Sequence, residues 1–129
     1  MKLAKIINAG AGVWLGLAMA GGAYAGESCD VVAGEQAAKK CVACHALDTD
    51  ENKVGPSLKG VYGRTIASYE GFRFSRALSK VEGEWTEEEL DKFLLKPQAY
   101  ARGTSMGFGG LRKEQERADV ICYLKNISE

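Results

Sequence analysis

The chain has 129 residues, enough for one domain. Its 17 basic and 17 acidic groups cancel to a formal charge of zero, which leaves no strong electrostatic case for binding nucleic acid or an anionic surface. Four cysteines in so short a chain need a context, and the N-terminus supplies one.

Met1–Ala25 reads as a secretory signal peptide. Lys2 and Lys5 form its positive start, Ile6 to Ala20 is apolar and small, and Ala23-Tyr24-Ala25 is an A-x-A cleavage site. The alternative is a retained membrane anchor, but the apolar run is short and glycine-rich for a span of about 20 residues. Residues 26–129 are then expected as one mature domain with a small acidic excess. Export places it outside the cytosol, by expectation in a bacterial periplasm, where disulfides are permitted. Met1, Met19 and Trp14 leave with the signal. Met106 and Trp85 become the only methionine and tryptophan, and His45 is the only histidine of the whole chain.

In the mature chain, Gly26–Ser28 reads as a loose terminus. Asp30 is a plausible N-cap, and Val31 to Lys40 reads as a short alanine-rich helix. Gly34 would weaken that helix by about 1 kcal/mol in isolation; its expected use is to let a second helix approach closely. Cys41-Val42-Ala43-Cys44-His45 follows, a C-x-x-C-H stretch, the attachment signature of a c-type haem. Two thiols three positions apart lie about one helical turn apart, so each can form a thioether to one porphyrin vinyl group, and the adjacent imidazole can reach the iron. As a bare pattern, C-x-x-C also serves zinc sites and dithiol redox centres.

Asp48–Lys53 is polar and turn-like, and Gly55-Pro56 fixes a turn. Leu58, Val61 and Tyr62 are the apolar points of the next segment. Ile66–Val81 follows neither period, with at most one helical turn at Ser75–Ser79. Thr86-Glu87-Glu88-Glu89 is a capping box that opens a helix through Leu90, Phe93 and Leu94 and ends at Pro97. Tyr100–Gly110, rich in glycine and carrying Met106, is an irregular loop. Arg112–Ser128 is the last helix, with Val120, Tyr123, Leu124 and Ile127 as its apolar stripe. No β alternation stands out. The expected fold is all-α: three main helices with long loops, which need something large and apolar to pack on.

In this order and spacing the chain resembles the class I cytochromes c. The resemblance covers essentially the whole mature chain. It rests on Cys41-x-x-Cys44-His45, Gly55-Pro56-x-Leu58-x-Gly60-Val61-x-Gly63-Arg64, Trp85, Lys96-Pro97-x-x-Tyr100, Gly103-Thr104-x-Met106-x-Phe108 and Arg117-Ala118-Asp119-x-Ile121-x-Tyr123-Leu124. With the export signal it is similar to the bacterial periplasmic, c-two type. The resemblance implies one covalent haem c. Cys41 and Cys44 would attach it, with His45 and Met106 as axial iron ligands. The Pro56 carbonyl would orient the imidazole. Arg64, Trp85 and Thr104 would lie at the haem propionates, and Phe108 over the haem edge.

Three departures stand out. Phe74 takes the place of a propionate-binding tyrosine. Phe93 and Leu78 thin the polar network near Met106, which should raise the potential. Ala38 replaces a phenylalanine of the first helix and puts the usual aromatic helix crossing in doubt. In the implied fold the first and last helices cross, so Cys29 and Cys122 could pair as a disulfide; two unpaired thiols are the alternative.

The implied function is one-electron transfer, not enzyme catalysis. His/Met ligation fills both axial positions and favours the ferrous state. The implied partners are a bc1-type complex as donor and a terminal oxidase or photosynthetic reaction centre as acceptor, met by a monomer through basic residues around the haem edge. Candidates for those are Lys39, Lys40, Lys53, Lys59, Lys96, Arg102 and Lys113. Rival readings are a zinc module, a dithiol oxidoreductase, and a haem sensor or weak peroxidase whose Met106 dissociates.

Overall fold

A computed structural model describes residues 28–129; the expected signal segment Met1–Ala25 lies outside them. Asp30 caps the first helix, α1 (Val31–Ala38), its carboxylate accepting from the Val32 and Ala33 N–H groups at 2.9 and 3.0 Å. Two of the four orphan donors of the helix start are thereby satisfied. The helical path runs on as turns beyond Ala38, with the Cys41 N–H donating to the Ala38 carbonyl at 2.8 Å. The regular helix is thus shorter than Val31–Lys40.

A 3₁₀ turn at Leu78–Lys80 overlaps the end of the helical turn expected at Ser75–Ser79, and its Ser79 N–H donates back to the Ser75 carbonyl at 3.0 Å. Helix α2 (Glu87–Leu95) is capped by the Thr86 hydroxyl, which accepts from the Glu89 N–H at 3.2 Å. Only this half of the capping box forms. The Glu89 carboxylate turns instead to the Tyr100 hydroxyl, 2.6 Å away. Pro97 does not simply end the helical region: it is the first residue of a one-turn helix, α3 (Pro97–Tyr100), a position where its missing N–H costs nothing. The last helix is α4 (Glu114–Asn126). Among the described residues there is no strand, only an isolated antiparallel pair, Thr65–Glu84.

Helices α1 and α4 cross in direct contact. At Gly34 an added Cβ would stand 1.9 Å from the Asp119 carbonyl oxygen, so the glycine permits the close approach that its position suggested. Ala38 is fully buried, and its small side chain belongs to the same close packing. The Asp119 carboxylate accepts from the Asp30 N–H at 2.9 Å and from the Gln115 amide at 2.8 Å, tying α4 to the start of α1. The buried residues of α4 are Arg117, Asp119, Val120, Ile121 and Leu124. The buried face is rotated from the expected stripe, since Tyr123 is only half-buried. Arg117 is buried with its charge met, donating to Asp91 of α2 at 2.6 Å and to the Leu111 and Arg112 carbonyls at 3.0 Å. Trp85, Phe93 and Tyr100 form one aromatic cluster, with centroids 5.0–5.9 Å apart. The core does not close on itself. Leu78, Leu90, Leu94, Val120 and Leu124 are buried and also line a cavity.

Candidate functional site

That cavity, of about 410 Å³, falls inside the roughly 300–1,000 Å³ of small-molecule and cofactor sites. Its first wall is built by the C-x-x-C-H turn. The Cys44 and His45 N–H groups both return to the Cys41 carbonyl, at 3.1 and 2.9 Å. One tight turn therefore delivers two thiols and an imidazole to the same space. Neither Cys41 nor Cys44 is bonded to another cysteine. Burial pushes the Cys41 thiol up, outweighing the opposite pull of Lys40.

His45 is buried, and its ring is fixed from two sides. The Nδ1 lies 2.6 Å from the Pro56 carbonyl oxygen. A carbonyl only accepts, so Nδ1 carries the proton and Nε2 keeps its lone pair. The backbone of Gly55 lies flat against the ring: a Cβ there would sit 2.3–2.8 Å from Cε1, Nδ1 and Nε2. Only glycine fits. Burial lowers the imidazole's basicity, against a smaller opposing effect of the Pro56 carbonyl, so the ring is held neutral, as a metal ligand must be.

Arg64 and Trp85 enter the wall together because their backbones pair. The Trp85 N–H donates to the Arg64 carbonyl at 2.8 Å, and the Gly63 N–H to the Trp85 carbonyl at 2.9 Å. The Arg64 guanidinium is partly committed. It donates to the Ser57 carbonyl at 2.8 Å and to the Lys59 carbonyl, and lies 4.2 Å from the Tyr69 ring centroid. It thus braces the segment that follows Pro56, and three of its five N–H groups remain for an anionic group.

The other ligand candidate, Met106, lies on the cavity with Thr104 and Phe108. Thr104 is buried, and its hydroxyl accepts a long contact from the Met106 N–H at 3.4 Å. Phe74, Phe93 and Leu78 also line the cavity. All the haem-site residues expected from the sequence are thus on one cavity. Sequence reasoning missed Gln98, whose side-chain amide donates to the Thr104 and Met106 carbonyls. It stands at an unspecified position of Lys96-Pro97-x-x-Tyr100, where no pattern marks it. Asn52 was missed too; its side chain joins Glu70 to Ser57, at 3.1 and 3.2 Å. So was Ala67, a cavity residue in the left-handed region at φ 55°.

Cys29 and Cys122, 93 positions apart, come together away from the cavity, with Cα atoms 5.9 Å apart and sulfurs at bonding distance, 2.09 Å. Among the described residues no cluster of three or more His, Cys, Asp or Glu could hold a metal ion, which removes the support for a zinc module. The helical architecture likewise lacks the βαβ setting of a dithiol oxidoreductase.

An apolar cavity walled mostly by loops, with α2 and α4 behind them, and with a neutral imidazole and a thioether among its donors, is the arrangement of a haem protein. The family model described as Cytochrome c matches residues 31–128, and the chain belongs to that family. It is 50% identical over 94 residues to "Cytochrome c homolog" of Rickettsia prowazekii, an alignment covering 72% of this chain and 54% of that one. It is 46% identical over 99 residues to "Cytochrome c-type cyt cy" of Rhodobacter capsulatus, covering 76% and 49%. A solved structure, cytochrome cH from Methylobacterium extorquens, superposes with a TM-score of 0.71 at 39% identity, covering 75% of this chain and 98% of that one. The chain spans about half the length of these two curated relatives. The all-α fold is that of the class I members, and the family's cofactor is covalently attached haem c. The donor set fits that group: two unpaired thiols, one neutral imidazole, one thioether and an apolar wall.

Proposed function

We propose that this chain is an exported one-electron carrier. In this reading Cys41 and Cys44 form the thioethers, and His45 and Met106 hold the iron. One observation carries it. Residues from four separate stretches, 41–45, 56–64, 85 and 104–108, meet on one cavity, with the His45 imidazole already oriented by Pro56.

When bound, the haem supplies the one-electron couple. The chain's own residues do the rest. Pro56 and Gly55 fix the imidazole, so that the ligand does not reorient between oxidation states. Phe93, Leu78 and Phe74 add to the apolar wall of the cavity, and an apolar surround disfavours the more charged ferric state. With His45 and Met106 both holding the iron, no position would stay open for a substrate, so the proposed activity is transfer and not catalysis. Arg64, Trp85 and Thr104 would meet the propionates.

The partners proposed are a bc1-type donor and an oxidase or reaction-centre acceptor in the periplasm, reached after cleavage of Met1–Ala25. Cys29 and Cys122 are proposed as a structural disulfide suited to that compartment. Val54, 79% exposed, is on the cavity rim next to Lys53. Lys39, Lys53, Lys96, Arg102 and Lys113 are exposed without an ion-pair partner among the described residues, whereas Lys40 pairs with Glu116 and Lys59 with Asp50. The first set gives the better docking charges. Direct voltammetry of the haem-loaded protein tests the proposal. A single reversible one-electron wave, unchanged by carbon monoxide, is expected. An irreversible wave, or one that carbon monoxide moves, would replace the carrier with a ligand-binding haem protein.

A further inference from the structure

The loop that carries Met106 is thinly held. From Ser105 to Gly110 the chain is irregular, and Gly107 and Gly109 have open space where a Cβ would be. The loop ends are anchored, by the Thr104 N–H on the Ala101 carbonyl at 2.9 Å and the Leu111 N–H on the Leu94 carbonyl at 2.7 Å. Between them, Met106 has two hydrogen bonds among the described residues. One is the 3.4 Å contact of its own N–H with the Thr104 hydroxyl. The other comes from Gln98, whose Nε2 donates to the Met106 carbonyl at 3.2 Å and to the Thr104 carbonyl at 3.0 Å. A single amide thus spans the two residues that bracket the turn.

Gln98 is itself held in place. It lies in α3, whose Ala99 and Tyr100 N–H groups both return to the Lys96 carbonyl. The Tyr100 hydroxyl then ties α3 to Glu89 of α2, and its ring stacks on Trp85. From these observations we infer that Gln98 is a positioning residue for Met106: its amide fixes the loop so that the sulfur stays on the cavity. The inference rests on the proposal that Met106 is an axial ligand.

Its geometry specifies the test. Gln98→Met keeps the side-chain length and removes both donors. Gln98→Glu also removes them and sets a carboxylate against two carbonyls. Gln98 is exposed, so both variants should fold; the thermal midpoint of each is measured as the control. Imidazole is titrated into the ferric haem-loaded proteins, where its nitrogen takes the coordination position that the Met106 sulfur leaves. A loop loosened by the loss of two ordinary hydrogen bonds, each a roughly 2- to 12-fold effect, should bind imidazole up to roughly 5- to 150-fold more tightly, with Gln98→Glu above Gln98→Met and little change in midpoint. Wild-type affinity in both variants would overturn the inference, as would a lowered midpoint without gain in affinity, which marks a merely structural residue. If the wild-type ferric protein lacks the methionine–iron charge-transfer band, the Met106 assignment has failed first, and the two failures are told apart.

Discussion

Gly55 and Glu89 show how much chemistry one side chain, or its absence, decides here. Gly55 is needed because the His45 ring occupies the place of its Cβ. Gly55→Ala should destabilise the protein by roughly 1–3 kcal/mol, the usual cost of overpacking, and disturb the imidazole–Pro56 bond. Denaturant melts and the ferric spectrum check this, and an unchanged melt would contradict the packing. At Glu89, the Tyr100 hydroxyl and then Lys92 hold the carboxyl below its usual range. A carboxyl lowered by folding adds stability above its ordinary pKa and loses it as pH falls through the lowered one. Burial first, and then Glu89, pushes the Tyr100 phenol up. Its neutral form therefore favours the folded state, and stability falls as pH rises past the ordinary phenol range of about 10. Tyr100→Phe should flatten both limbs of the stability–pH curve. Equal acid and alkaline losses in variant and wild type would sink the linkage.

Among the helices, the α1–α4 crossing depends on a glycine more than on aromatic packing. Gly34→Ala sets a methyl group 1.9 Å from the Asp119 carbonyl, closer than any relaxed contact, so one helix must move. The expected loss is at the upper end of roughly 1–3 kcal/mol or beyond. The proposed disulfide between Cys29 and Cys122 would fasten the same crossing. Opening that 93-residue loop with Cys122→Ser should cost on the order of 3–5 kcal/mol in the chain-entropy model and leave the haem spectrum unchanged, because the pair stands away from the cavity. The sequence made these elements legible to different degrees. Asp30 and Thr86 announced two helix starts by cap chemistry alone. The fate of Glu89 was not readable, because its partner Tyr100 lies beyond a helix break. Helix α3 is hidden in the sequence because Pro97 ends one helix and starts the next. The buried face of α4 shifted because Arg117 and Asp119, polar by type, are buried with their hydrogen bonds satisfied. Gln98 was invisible, since its role depends on a loop conformation that no local pattern encodes.

The full chain carries no formal charge excess and the proposed mature domain only a small acidic one, so any steering of partners must come from the distribution of charge. Lys53, without an ion-pair partner among the described residues and next to exposed Val54, is the sharpest case. Lys53→Glu should slow electron transfer to a partner of acidic surface at low salt, with the difference shrinking as ionic strength rises. A salt-independent difference would place docking elsewhere. The C-x-x-C-H turn was readable from the sequence because covalent haem attachment demands that spacing; the other cavity residues were expected only from the family resemblance. The surface was not readable, because a lysine looks the same whether or not Glu116 or Asp50 reaches it. The most direct single measurement on the central claim, a cavity closed by His45 and Met106, is the optical spectrum of the haem-loaded protein, oxidised and reduced, with and without carbon monoxide. Closure at both positions predicts sharp low-spin reduced bands, a ferric methionine–iron charge-transfer band and no response to carbon monoxide. A high-spin spectrum, or reduced bands that shift with carbon monoxide, would contradict it.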